Sequence, residues 1–298
     1  MAPISPAKLE RVFAVLAERE FMRMQGGKTP NGFYSVLNSL KHRPDNRYSN
    51  ILAYDRTAVV VGDEGKYLNA NKVEDGKGGT WIAAQAPTPR TFDTFFQALY
   101  SGAATGKRSR DVILVQLTGW EENGMRKADF YLEHAMDHLP LKLIKSEQIP
   151  SISSTVTHLQ LGHPPNQSTK DAGEEAVTIH HYHFDAWPDH GVPTGQDVAA
   201  LRNLVLEVER KRKELSSEVW VHCSAGVGRT GSFIALSSLL TPDPPSIIAS
   251  APQPATALEP LPSDLQGDRV ARTVDAIREC RGMLVQNPDQ LRLIYEMQ

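Results

Sequence analysis

Residues 218–240 constrain the fold of this chain more than any other stretch of its sequence. An apolar segment, residues 218–222 (EVWVH), has the composition of a buried strand, and a glycine-rich turn follows it directly. Residues 229–240 then have the apolar spacing of a helix. A strand, a tight turn and a helix in this order are typical of α/β proteins.

The same alternation of strands and helices continues along the chain. Ser5-Pro6 is a helix start, and Thr91 is expected to cap a second helix through its side chain. Further strands are predicted at residues 57–61, 66–69, 111–118 and 176–184, and further helices at residues 198–213 and 268–281. We therefore predict an α/β fold in which a mixed sheet carries helices on both faces.

Composition excludes several classes of protein. The 298 residues include 40% hydrophobic and 22% charged residues, so the chain can bury a core, and a net charge of −3 argues against a nucleic-acid binder. With only two cysteines, Cys223 and Cys280, neither a disulfide scaffold nor a Cys/His zinc spacing is expected. No apolar run approaches the roughly 20 residues of a membrane helix, and no signal peptide is evident. We expect a cytoplasmic, or alternatively nuclear, protein.

One segment departs from this regular pattern. Residues 241–262 hold seven of the 20 prolines, which is incompatible with a regular helix or a central strand. We predict an extended insertion at about residues 241–264 that contributes little to the core. A linker between two domains is the alternative, but only 36 residues follow Pro262, too few for a typical domain.

Residues 221–233 (VHCSAGVGRTGSF) carry the chemistry. Cys223 begins the turn after the strand, and five residues separate it from Arg229, where the helix starts. Backbone N–H groups at a helix N-terminus bind anions, and the Arg229 guanidinium suits two phosphate oxygens. The same field favours the Cys223 thiolate, so the pattern predicts a nucleophile that faces a bound phosphate.

Two nucleotide-binding motifs are less consistent with this segment. Gly226, Gly228 and Gly231 match G-x-G-x-x-G, but residues 249–252 (ASAP) lack the acidic residue that dinucleotide binding requires. A nucleotide P-loop requires Gly at the position of Cys223 and Lys at that of Arg229.

The motif HCSAGVGRTG resembles the active-site motif of the cysteine-dependent protein-tyrosine phosphatases. Five further segments resemble motifs of that family and follow in its order: Asn46-Arg47-Tyr48, Tyr67-Leu68-Asn69-Ala70, Gln85-Ala86-Pro87, Trp187-Pro188-Asp189-His190-Gly191 and Gln286-Asn287-Pro288-Asp289-Gln290. The resemblance implies one catalytic domain over residues 1–298, with a highly twisted mixed sheet and the insertion at about 241–264.

The resemblance also assigns catalytic roles. Cys223 attacks phosphorus and forms a cysteinyl-phosphate, while Asp189 gives a proton to the tyrosine oxygen and later acts as a base toward water. Arg229 stabilises the equatorial phosphate oxygens. Gln286 and Gln290 orient the attacking water, and the Thr230 hydroxyl faces the leaving thiolate. No metal ion or other cofactor is implied.

Further residues are assigned to substrate binding or to support. The substrate-binding residues are Tyr48, Asp189, Cys223, Ser224, Ala225, Gly226, Val227, Gly228, Arg229 and Gln286. The supporting residues are His222, Trp187, Glu122 and Lys127. For Glu122 and Lys127 a solvated turn is an equally good interpretation.

Two other features have competing interpretations. His181 and His183 share a face of a predicted strand, as a metal pair would, but without an acidic partner an ordinary strand fits better. In the alignment implied by the resemblance, Met283 either fills a channel that would let Arg278 reach a second substrate phosphate, or packs in the core.

The sequence thus predicts a phosphotyrosine-specific phosphatase whose partners are phosphotyrosyl proteins and which is expected to be a monomer. Tyr48 argues against a dual-specificity enzyme, because a deep aromatic wall excludes phosphoserine and phosphothreonine. Ser224 and Val227 argue against phosphoinositides, for which a Lys in this loop would be favourable. A catalytically inactive phosphotyrosine-binding module is disfavoured, because the catalytic residues are all present: Cys223, Arg229, Asp189 and Gln286.

Overall fold

The structure, a computed structural model, describes residues 3–163, 175–188, 191–241 and 255–298. Its helices are α1 (Pro6–Gln25), α2 (Leu37–Lys41), α3 (Phe92–Ser101), α4 (Tyr131–His138), α5 (Gln196–Leu215), α6 (Gly228–Leu240), α7 (Arg269–Arg278) and α8 (Pro288–Met297). Its strands are β1 (Ala58–Val61), β2 (Lys66–Glu74), β3 (Thr80–Ala84), β4 (Asp111–Gln116), β5 (Glu121–Glu122), β6 (Met125–Arg126), β7 (Leu141–Ile149), β8 (Ser154–Leu161), β9 (Val177–Phe184) and β10 (Glu218–His222). No helix in this described part of the chain is long and apolar enough to cross a membrane.

Eight strands form one twisted mixed sheet in the order β1-β2-β3-β10-β4-β9-β8-β7. The four central strands are parallel and the outer pairs are antiparallel. Alternate residues of β4 face opposite sides: Val112 and Leu114 pack in the core with α3 and α4, whereas Ile113 and Val115 pack with α1 and α5–α8. The predicted α/β sheet with helices on both faces is therefore confirmed.

The position of β10 places the predicted chemistry at the middle of the sheet. This strand lies between β3 and β4 and runs parallel to both. The Leu117 N–H donates to the His222 carbonyl at 2.9 Å, and the Ala86 N–H donates to the Ser224 carbonyl at 2.9 Å. The turn that begins at Cys223 is thereby held from both sides, at the carboxyl ends of the parallel strands where α/β proteins place their sites.

The predicted cap of α3 differs in detail. Thr91 is the N-cap residue, but its side chain makes no capping hydrogen bond. Its hydroxyl instead accepts from the Thr88 N–H at 3.0 Å and donates to the Thr88 carbonyl at 3.2 Å. The Thr91 hydroxyl therefore stabilises the turn from Thr88 to Thr91 and does not cap α3.

The proline-rich insertion contributes more to the core than predicted. Residues 242–254 lie outside the described residues, but residues 255–264 pack on the domain. Leu261 is 9% exposed and belongs to the main core, and Leu258 packs against the cluster around Tyr34. The Arg19 guanidinium donates to the Glu259 carbonyl at 2.7 Å. The expectation of little core contact is wrong for this part, because two leucines without any periodic spacing are enough to dock it.

Candidate active site

A cavity of about 280 Å³ opens at the carboxyl end of β10. We call it the active-site cavity. Nine of the residues predicted from the sequence line it: Tyr48, Lys127, Cys223, Ser224, Ala225, Gly228, Arg229, Gln286 and Gln290. Residues that are separated by up to 242 positions in the sequence are therefore brought together at one surface opening.

The turn after β10 wraps around the Cys223 sulfur. Cys223 is 5% exposed, and its Sγ accepts a hydrogen bond from the Gly226 N–H at 3.3 Å. Gly226 has φ = 71°, and a Cβ there would lie 2.0 Å from the Ala84 carbonyl oxygen, so only glycine fits. α6 begins at Gly228, and its N-cap residue, Val227, makes no side-chain cap. The first N–H groups of α6 are thus left to an anion in the cavity.

A buried arginine, Arg281, holds this turn from behind. Its Nε donates to the Gly226 carbonyl at 2.8 Å, and its Nη2 donates to the Ala225 carbonyl at 3.2 Å. It also donates to the side-chain oxygens of Asn69 and Asn71 on β2, each at 2.8 Å. Because these carbonyls point back toward Arg281, the peptide N–H groups of the turn are free to point the other way.

Arg281 also places a positive charge beneath the turn. All four of its partners are neutral oxygens, and among the described residues no carboxylate lies within ion-pair distance of it. Burial lowers the pKa of Arg281 to about 10, so the guanidinium is still charged at neutral pH. A buried cation without a carboxylate partner favours the binding of an anion in the cavity.

Glu122 fixes the orientation of Arg229. The two carboxylate oxygens accept from Nη1 and Nη2 of Arg229 at 2.6 and 2.7 Å. Glu122 also accepts from the Thr118 hydroxyl at 2.7 Å and the Gly119 N–H at 3.0 Å. Burial acts to raise the pKa of Glu122, but the hydrogen bonds from Arg229 and Thr118 outweigh it and lower that pKa. This bidentate pair keeps the guanidinium plane fixed.

Tyr48 stands at the rim and is tied to the turn. The Ser224 hydroxyl donates to the Lys127 carbonyl at 2.6 Å, so its oxygen accepts from the Tyr48 hydroxyl at 2.8 Å. The Tyr48 ring is 37% exposed and forms one wall of the opening. The segment behind it is fixed by the Arg47 N–H, which donates to Gln85 at 2.8 Å. Two of the segments that resemble family motifs, Asn46-Arg47-Tyr48 and Gln85-Ala86-Pro87, therefore meet directly behind this wall.

His222 connects the turn to a fully buried polar chain. Its Nδ1 donates to the Cys223 carbonyl at 2.8 Å, and its Nε2 lies 2.8 Å from the Tyr131 hydroxyl. That hydroxyl also contacts Gln116 Oε1 at 2.8 Å, and His181 Nε2 lies 3.2 Å from the same oxygen. Burial lowers the pKa of His222 to about 4, so His222 is neutral near pH 7 and orients the turn rather than acting as a base.

The predicted lid is described on both sides of its acid. Trp187 is 1% exposed, and its Nε1 donates to the Gly191 carbonyl at 2.9 Å. The Pro188 carbonyl accepts from Arg229 Nη2 at 3.3 Å. Asp189 and His190 themselves lie outside the described residues. On one side of them Pro188 is thus attached to Arg229, and on the other side Gly191 is attached to Trp187.

The glutamine segment forms part of the cavity wall through Gln286, Asn287 and Gln290. The Gln286 N–H donates to Gln290 Oε1 at 2.8 Å, and Asn287 caps α8 by accepting from the Gln290 N–H at 2.9 Å. Thr230 is fully buried behind the turn, and its hydroxyl has no hydrogen-bond partner among the described residues. A buried hydroxyl of this kind can donate a hydrogen bond to a nearby group that becomes negatively charged.

Some predicted residues contribute without lining the active-site cavity. The side chain of Val227 is 1% exposed and faces the core, and Gly226 offers only its backbone.

His181 and His183 stack with their ring centroids 6.0 Å apart, but within the described ranges no group of three or more His, Cys, Asp or Glu is placed to hold a metal ion. The His183 Nε2 lies 2.9 Å from the Thr118 carbonyl, as expected for an ordinary strand residue.

Arg278 does not reach the surface. All three of its guanidinium nitrogens donate to backbone carbonyls, at 2.7 to 2.8 Å, and it is 4% exposed. Arg278 therefore does not reach a second substrate phosphate. That prediction is wrong whether Met283 fills a channel or packs in the core.

Sequence analysis did not identify Arg281, Thr118, Gln116 or Tyr131. The importance of Arg281 arises from contacts with residues 55 and more positions away in the chain. Its one local signal is that a charged residue lies close before the apolar residues Leu284 and Val285.

Comparisons with known proteins agree with this geometry. The family model for the protein-tyrosine phosphatase domain matches residues 42–298. Tyrosine-protein phosphatase 99A of Drosophila melanogaster is 34% identical over 212 residues, which is 67% of this chain but 15% of that protein. Receptor-type tyrosine-protein phosphatase S of Gallus gallus is 30% identical over 214 residues, 67% of this chain and 13% of that protein.

The fold also has a solved counterpart. A chain from a structure of PTPN18 superposes with a TM-score of 0.69 at 20% identity, and the match covers 97% of this chain and 92% of that one. This likeness supports the fold. The chain described here spans about 15% of the length of the first of the curated relatives above.

We expect Arg281→Lys to weaken the binding of inorganic phosphate about tenfold, because lysine cannot reproduce the four hydrogen bonds by which Arg281 ties the turn to β2. Calorimetric titration with inorganic phosphate measures the affinity. Arg278→Lys is the matched control: it removes an equally buried guanidinium from outside the turn and should lower stability while leaving phosphate affinity unchanged. Equal losses of phosphate affinity in both variants would contradict this role of Arg281.

Proposed function

Because the chain belongs to the protein-tyrosine phosphatase family, we propose that it hydrolyses phosphotyrosine in proteins through a cysteinyl-phosphate on Cys223. One observation carries the proposal: the Cys223 sulfur and the Arg229 guanidinium line the same cavity at the N-terminus of α6. A nucleophile and an anion-binding cradle in one small cavity are the parts that phosphoryl transfer needs.

In the first step the Cys223 thiolate attacks phosphorus and a P–S bond forms. The bond between phosphorus and the tyrosine oxygen breaks, and Asp189 donates its proton to that oxygen. Arg229 and the N–H groups of the turn bind the equatorial oxygens, where charge develops in the transition state. Support comes from the Glu122 pair, which holds Arg229 in one orientation, and from the lid residues on either side of Asp189.

In the second step water attacks the cysteinyl-phosphate. Asp189, now a carboxylate, accepts a proton from the water, the P–S bond breaks and the thiolate leaves. We assign the orientation of the water to Gln286 and Gln290, which line the active-site cavity, and the stabilisation of the leaving thiolate to the buried Thr230 hydroxyl.

Selectivity for phosphotyrosine is assigned to Tyr48. Its ring forms one wall of the opening and is held by the hydrogen bond to Ser224, while Cys223 is nearly buried at the base. An aromatic ring can span the distance between rim and base, whereas the shorter side chains of phosphoserine and phosphothreonine would leave the phosphate short of the sulfur.

We further propose that residues 1–298 act as one catalytic domain with an insertion at about 241–264, and that phosphotyrosyl proteins are its partners. A reducing compartment, with the cytoplasm as the first candidate, fits two free cysteines, since both Cys223 and Cys280 are thiols.

The protein should release phosphate from phosphotyrosyl peptides and leave phosphothreonyl peptides of the same sequence essentially intact. Cys223→Ser should abolish turnover and keep measurable binding, because the N–H groups and Arg229 remain. Cys280→Ser is the matched control, because Cys280 lies outside the active-site cavity, near the Glu74 backbone. Phosphate release and peptide titration give both quantities, and turnover by Cys223→Ser would rule out the covalent route.

The dependence of kcat/KM on pH should be bell-shaped, with an acidic limb from the nucleophile and a basic limb from the proton donor. Asp189→Ala should lower kcat about a hundredfold or more and remove the basic limb. Asp185→Ala, the loss of an exposed carboxylate four residues earlier, should leave both unchanged. An unaltered profile in Asp189→Ala would show that another group is the acid.

A further inference from the structure

A cavity of about 630 Å³ lies at the opposite end of the parallel strands from the active-site cavity. We call it the basal cavity. The first residues of β3, β10 and β4 line it, and these are Thr80, Glu218 and Asp111. Because β10 has five residues, roughly 15 Å of strand separates the two cavities. An occupant of the basal cavity is therefore too far from Cys223 to be the phosphoester that reacts there.

Five cationic side chains surround the basal cavity and come from three parts of the fold. Lys72 lies on β2, and Arg212 lies in the last turn of α5. Lys107, Arg108 and Arg110 lie in the segment between α3 and β4. The whole chain has a net charge of −3, so this concentration of positive charge is a local feature. It favours an anion as the occupant.

The two carboxylates of the lining are already engaged. One Asp111 carboxylate oxygen lies 2.7 Å from His180 Nε2. The Glu218 carboxylate accepts from Trp220 Nε1 at 2.8 Å and from the Thr105 hydroxyl at 3.2 Å. Burial raises the pKa of Glu218, which weakens its negative charge further. These two groups therefore offset only part of the positive charge around the basal cavity.

Most of the cations can still contact a ligand. Lys72 and Arg110 each pair at 2.9 Å with a glutamate outside the lining, and such exposed pairs are weak and rearrange easily. Arg212 lies over the Trp81 ring, 5.1 Å from its centroid, which holds the guanidinium in place. Lys107 is exposed, and among the residues that the structure describes its ammonium pairs with no carboxylate.

Hydroxyl groups supply further donors to the basal cavity. The hydroxyl-bearing residues of its lining are Thr80, Thr105, Ser109, Ser216 and Ser217. Ser217 is 6% exposed, and its hydroxyl has no hydrogen-bond partner within the described ranges. Buried hydroxyls are normally paired, so a ligand oxygen would satisfy this one. The apolar members of the lining are Ile82 and Leu215, too few to favour an apolar ligand.

We propose that the basal cavity binds a small molecule that carries two or more phosphate groups. Arginine guanidinium groups, lysine ammonium groups and hydroxyls are the donors that bind phosphate oxygens. More than one phosphate is inferred because the cations lie on several sides of a cavity of about 630 Å³, which a single phosphate cannot span. This site is separate from the active-site cavity and does not depend on the proposed phosphatase function.

Calorimetric titration with inorganic tripolyphosphate tests the proposal. Arg229→Ala is the background of every titration, because loss of that guanidinium weakens anion binding in the active-site cavity. Lys107→Gln combined with Arg110→Gln should weaken tripolyphosphate binding about tenfold or more, since two of the five cations are lost. Lys142→Gln combined with Lys145→Gln is the matched control: it removes the same charge from β7, outside the basal cavity, and should leave the affinity within about twofold.

Hydrogen exchange of the wild-type protein gives a measurement that needs no substitution. Tripolyphosphate should slow amide exchange in residues 102–111 and 212–218, which contain most of the lining. Vesicles of phosphatidylcholine, with and without phosphatidylinositol bisphosphate, distinguish the sources of the phosphates. Sedimentation of the protein with only the second kind would assign the site to a lipid headgroup, and sedimentation with neither would assign it to a soluble ligand.

Three results would overturn the proposal. The first is that tripolyphosphate fails to bind in the Arg229→Ala background, or fails to protect residues 102–111 in the wild-type protein. The second is an equal loss of affinity in the two double variants, which would show that only the overall charge matters. The third is tighter binding of hexaglutamate than of tripolyphosphate, which would identify an acidic peptide as the occupant.

Discussion

The candidate site depends on how Arg281 is buried. Placing a guanidinium among neutral oxygens is costly, and the pKa of about 10 expresses that cost. Four hydrogen bonds offset part of it, two to β2 and two to the turn after β10. The same bonds turn the carbonyls of the loop away from the cavity. The buried Arg281 guanidinium therefore has two effects: it orients the N–H groups of the turn, and it places a positive charge beneath Cys223.

The strand order brings the other parts to this point. Because β10 lies between β3 and β4, the residues that follow those two strands flank the turn. Glu122, which follows β4, is therefore close enough to accept hydrogen bonds from Arg229. The segment that contains Tyr48, Asn50 and Ile51 lines the active-site cavity and forms part of its wall.

Local parts of this arrangement could be predicted from the sequence, and long-range parts could not. The strand at 218–222, the turn and the start of α6 follow from neighbouring residues, so Cys223 and Arg229 could be placed in one concavity. The partners of Arg281 could not, because they depend on which strands become neighbours. Leu258 and Leu261 dock without periodicity, and Arg278 is buried against backbone carbonyls that include the distant one of Leu16, which its sequence neighbours do not reveal.

The most direct measurement is a search for phosphate bound to the protein during the first turnover. The wild-type protein and Gln286→Ala are mixed with a phosphotyrosyl peptide, quenched in acid within one turnover and digested for mass spectrometry. We predict a phosphoryl group on the fragment that contains Cys223, and more of it in Gln286→Ala because water attack is slower. Release of the tyrosyl peptide without any phosphorylated fragment in either protein would contradict it.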